Sequence, residues 1–146
     1  MTVQTAHLDL IRLMIKGDAE TYRERCAALD QAGWDGFGLV VSAAFYNAVQ
    51  DRFGPSSTTN DVIRFVADAR QNIGHTNFDV DPVAAETLIQ AARSGNTEEM
   101  EKLPTETVIE TEMLLVWNLL EGVTDDGLET FLSAAEHLAR QWERAS

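Results

Sequence analysis

Basic side chains are scarce in this chain: 11 lysines and arginines stand against 24 aspartates and glutamates, a formal charge of -13. That shortage argues against nucleic acid as a partner, because such binding draws its affinity from cations that displace the phosphate counterions. It argues equally against docking on an anionic membrane surface. Cysteine is nearly absent, and Cys26 alone has no internal partner for a disulfide, which suits a reducing compartment. Long apolar runs are missing too. Stretches such as Leu114 to Trp117 fall far short of the ~20 residues that span a bilayer, so no membrane segment is expected. The opening residues Met1 to Thr5 carry no basic leader, and Asp9 and Arg12 interrupt the apolar positions from Leu8 to Ile15. A secretory signal is therefore not supported, and the expected location is cytoplasmic.

Familiar catalytic spacings are also lacking. The chain has no HExxH, no GxxxxGK[ST], no GxSxG and no paired CxxC, which weighs against the common enzyme classes and leaves no cofactor or metal expected. Gly33 to Gly38 holds three glycines ahead of a helix, yet they fall in the wrong order for a dinucleotide loop and Asp35 would repel phosphate, so the cluster reads as a tight turn. Asn77, Asp79 and Asp81 alternate as in a calcium loop, but Pro82 stands where glycine is needed and Leu88 where the bidentate Glu belongs. His7, His75 and His137 supply no Glu-x-x-His pair for a di-iron bundle.

What is present is a 45 % hydrophobic chain of 146 residues, long enough to bury roughly 68 to 70 % of its unfolded surface in one core. Helix punctuation is dense. The pattern predicts helices from His7 to Lys16, from a cap at Asp18 to Gln31, and from Asp35 to Phe53, the last apolar nearly all round. Further helices follow a cap at Thr58 or Thr59, start at Pro82 behind Asp81, and run from Thr105 to Glu121 and from Thr124 through Trp142, with a short acidic helix between Asn96 and Pro104. No run alternates apolar and polar residues with hairpin signals, so the expected fold is all-α: a single domain over 1–146, an orthogonal bundle of about eight helices.

The two halves align helix by helix. Ile11 to Gly17 matches Ile89 to Gly95 at an offset of 78, Phe45 to Val49 matches Val116 to Leu120 at 71, and Phe65 to Ala69 matches Phe131 to Ala135 at 66. Two readings stay open: duplicated four-helix units over 7–73 and 82–142, or unrelated amphipathic helices whose Gly-Asp and Gly-Asn turns look alike.

Several polar residues stand out against this background. Asn47 and Asn118 occupy matching positions in nearly all-apolar helices, where an unpaired amide costs ~1–3 kcal/mol, so they either pair and set register or line a polar pocket with Tyr46 and Trp117. Glu106 and Glu110 share one helical face that is either solvated or cation-binding. Arg52 and the Ser56 to Thr59 loop could hold an anion or merely cap a helix. Cys26 reads as inert core.

The stretch Phe45 to Phe53, with Ile63 to Arg70, resembles small all-helical proteins of unassigned role from high-GC bacteria, and nine Arg against two Lys suits that origin. The resemblance implies a helical fold and carries no activity or site residue with it. Charge is uneven: residues 1–94 hold 12 acids and 8 bases, whereas 95–146 hold 12 and 3. The leading expectation is a non-enzymatic regulatory or interaction module with a basic protein partner and a tendency to form a homodimer. The alternative is a small-molecule-binding domain or metal-assisted enzyme whose pocket, between the helical halves, is lined by Tyr46, Asn47, Trp117 and Asn118.

Overall fold

The structure, a computed structural model, describes residues 2–145. Among them are seven α-helices, α1 (Thr5–Lys16), α2 (Ala19–Ala32), α3 (Phe37–Arg52), α4 (Thr59–Ile73), α5 (Pro82–Ser94), α6 (Thr105–Leu119) and α7 (Asp125–Ala145), and no strand. None of these helices is long and apolar enough to cross a membrane.

Local chemistry sets the boundaries. Asp18 accepts the Thr21 N–H at 3.1 Å, Thr58 exchanges bonds with Asp61, and Asp81 accepts the Val83 N–H at 2.9 Å behind Pro82 at the first helical position. Gly17 and Gly95 close α1 and α5 in the left-handed conformation that only glycine adopts without strain. The short acidic segment expected as a helix is a 3-10 turn, Met100–Lys102. Asn96 accepts the Glu98 N–H at 3.0 Å and Pro104 follows too soon for an α-helical nucleus to propagate.

The described residues divide into two compact units, one ending at Asn47 and resumed from Leu120 onward, the other Ala48–Leu119. Each of the segments 7–73 and 82–142, aligned in sequence, contributes to both units. In the first unit α1 packs against α2 and α7. Leu10, Ile11, Val40, Val41, Leu128 and Leu132 are buried there. The Arg12 guanidinium joins α1 to α7 through Glu129, at 2.7 and 2.9 Å, and also pairs with Asp9.

In the second unit α4, α5 and α6 pack on one another, and the 3-10 turn leans on α5. Val62, Ala69, Ile73, Leu88, Ile89 and Leu115 form its buried apolar interior. Phe53 meets Phe65 edge to face at 5.5 Å, and Gln50 reaches across to donate to the Ala92 carbonyl at 2.9 Å.

Candidate functional site

The residues singled out from sequence fall into two groups. Tyr46 and Asn47 belong to the first unit and Trp117 and Asn118 to the second. Tyr46 meets Trp142 of α7 edge to face at 6.0 Å, and Asn47 is half-buried. Asn118 accepts from the Asn72 side-chain amide at 3.2 Å, a bond that ties α6 to α4 within the second unit. Trp117 is half-buried.

Other polar candidates resolve into structural roles. Glu106 and Glu110 are exposed, whereas Glu112 two residues on is buried at 3 % exposure, a carboxylate that sequence reading passed over. Arg52 lies over the rings of Phe53 and Phe65, at 5.1 and 5.5 Å from their centroids. Its neighbouring loop is already occupied. Thr58 and Asp61 cap α4 reciprocally, and Arg93 donates to the Ser57 carbonyl at 2.6 Å. The bonds with Thr58, first the one from its backbone N–H, hold the Asp61 carboxyl below the usual range.

Burial pushes the Cys26 thiol up, while Tyr22 one turn earlier is pushed up to about 12, chiefly by burial with Cys26 adding to it. A thiol held protonated in this way is a poor nucleophile. Among the described residues, no three His, Cys, Asp or Glu side chains cluster as a metal site requires. His75, Asn77, Asp79 and Asp81 are all exposed, and Asp81 spends its carboxylate on the amides of Val83 and Ala84.

That same connection shows what sequence reading missed. Between α4 and α5, the Thr76 hydroxyl donates to the Ile73 carbonyl at 2.6 Å and accepts the Phe78 N–H at 3.0 Å. Arg70 donates to the Val80 carbonyl at 3.0 Å, and the Val80 side chain plugs the interior at 1 % exposure. The backbone is thus fixed at three points, and on either side of the buried Val80 it holds Phe78 and Val83 out at 56 % and 68 % exposure. Asp79 and Asp81 are exposed between them. Large apolar side chains displayed where this anchored loop enters α5, with carboxylates interleaved, form a surface that can take both an apolar and a cationic group.

The unit that carries this loop holds 12 acids and 5 bases over residues 48–119, a balance of -7. Comparison of the chain with family models, with curated proteins and with solved structures finds no match.

Proposed function

We propose that this protein is a non-enzymatic interaction module that captures a basic protein segment, with the Phe78 to Val83 segment, the end of the α4–α5 connection and the first turn of α5, as the contact. The observation that carries the reading is the exposure of Phe78 and Val83 beside Asp79 and Asp81 on a backbone held by Thr76, Arg70 and Val80. A loop ordered before binding loses little conformational entropy on association, so a small apolar contact contributes more of its burial to affinity. The surrounding negative charge steers cations to it and raises the rate of encounter. A second copy of the chain is a poorer occupant, since it would bring -13 against -13. A cytoplasmic location accompanies this reading, as a single cysteine with no partner for a disulfide suits a reducing compartment.

The test uses the full chain on a biosensor with a cationic amphipathic peptide of Leu and Lys, and polylysine as the purely charged control. The expected result is saturable binding of the amphipathic peptide that weakens as salt rises and falls at least tenfold in a Phe78→Ser, Val83→Ser variant. Equal binding of polylysine, or indifference to the double substitution, would overturn the loop as the contact. No binding at low salt would overturn the interaction reading itself.

A further inference from the structure

Ahead of α1, residues 2–4 form a strap within the first unit, in which Gln4 is extended at φ -125 and ψ 149. Val3 is buried at 3 % exposure, its N–H donates to Glu143 Oε2 at 2.6 Å, and its carbonyl accepts from Arg140 Nη1 at 3.4 Å. The Arg140 guanidinium is steadied by Glu136 of the same helix, at 2.8 and 3.0 Å. The backbone of Thr2 rests on Gly36, so closely that a Cβ at that glycine would stand 2.1 Å from the Thr2 carbonyl oxygen.

His7 joins this strap to the interior. Its side chain is wholly buried, at 0 % exposure, with the ring meeting Phe37 edge to face at 5.8 Å. Nδ1 accepts the Gln4 N–H at 3.2 Å, which requires the ring proton to sit on Nε2. Nε2 is buried and has no hydrogen-bond partner. The neutral ring is therefore already short of one bond, and a second proton would leave it worse placed.

We infer that His7 is an acid-sensitive latch: protonation at Nδ1 turns the acceptor for Gln4 into a donor, breaks that bond, places an uncompensated cation in the interior, and releases residues 2–4 from α7. The strap itself carries no titratable side chain. Around it, α1 carries Asp9, Arg12 and Lys16, the turn before α3 carries Asp35, and α7 carries Glu136, Arg140 and Glu143. On α2, Asp30 accepts the Trp34 indole N–H at 2.7 Å. Residues 37–47 of α3 carry no charge. The pKa of His7 lies below the ordinary 6.5, and its cause is burial, not any of these charges. The sign follows from proton uptake. Between 6.5 and the lower folded value the unfolded chain binds a proton that the folded chain does not, so the stabilisation is complete above 6.5 and is lost as the pH falls through that window.

The experiment is a titration of the full chain from pH 8 to 5, reading the His ring nitrogens by NMR and the hydrogen-exchange protection of the Val3 and Gln4 amides. His7 is expected to show a protonated Nε2 and a bare Nδ1 at pH 8, and to titrate below the ordinary imidazole value of 6.5. Protection at Val3 and Gln4 is expected to fall by up to about tenfold per pH unit inside the window, as loss of one proton-linked contact dictates. In His7→Gln, whose amide oxygen can still accept the Gln4 N–H, protection should stay flat. A His7 midpoint at or above 6.5, constant protection in the natural sequence, or an equal fall in His7→Gln would each overturn the latch. Should His7→Gln fail to fold, the ring tautomer and midpoint of the natural sequence decide the matter.

Discussion

Gly36 meets two demands at once, and either alone would favour glycine. Its φ of +90 lies where L side chains are strained, and the Thr2 carbonyl occupies the place where its Cβ would stand. Gly17 separates the two effects, since its φ is +76 but nothing lies within 4 Å of the added carbon. Gly17→Ala should therefore cost only the left-handed conformation, about 1–2 kcal/mol. Gly36→Ala adds a backbone clash that no side-chain rotation relieves, and should cost more than Gly17→Ala while also loosening the strap at Thr2 and Val3. Urea denaturation of the two variants measures the difference, and equal midpoints would show that the Thr2 contact yields at no cost. The glycine cluster from 33 to 38 was legible in the sequence as a turn. The reason for Gly36 was not, because it lies in a contact with a segment more than thirty residues away.

At the level of elements, capping chemistry was the most readable part of the chain. Asp18, Thr58 and Asp81 each hold the amides that their positions before an apolar repeat implied, and Gly17 and Gly95 end their helices as expected. These signals are local, so they survive without knowledge of the packing. Exposure is not local. Nothing in the sequence sets Phe78 and Val83 apart from other apolar residues, and their exposure follows from a tertiary arrangement in which Val80 between them is buried and Arg70 holds its carbonyl. Glu112 was hidden by the same logic in reverse, since the exposed acids Glu106 and Glu110 on the same helix suggested a solvated face. The cap at Asp81 is open to measurement. Asp81→Ala should cost about 1 kcal/mol and expose the Val83 and Ala84 amides to exchange, whereas Asp81→Asn, which keeps the accepting oxygen, should stay within a few tenths of the natural stability. Equal losses in the two variants would mean that charge at the start of α5, not the hydrogen bond, supports the helix.

Across the whole chain, charge sets a balance that salt can tilt either way. Ion pairs such as Arg12 with Glu129 and Lys102 with Glu99 are exposed, and screening weakens them. Repulsion among like charges is screened too, and the numbers decide between the effects: even if all 11 bases were paired, 24 minus 11 leaves 13 carboxylates without a cation. Both compact units share the excess, -7 over residues 48–119 and therefore -6 over the remainder. Self-repulsion of this kind destabilises a compact state, and its range shrinks to about 10 Å at 0.1 M salt. Raising sodium chloride from 10 to 200 mM at pH 8, where His7 is neutral, should thus raise the melting temperature, by about 2–4 °C for each kcal/mol of repulsion relieved. Circular dichroism at 222 nm follows the transition in this helical chain. A melting temperature that falls with salt would mean that the exposed ion pairs outweigh the unpaired carboxylates, and the negative surface would then have to be regarded as locally compensated and unable to steer a cationic partner over distance.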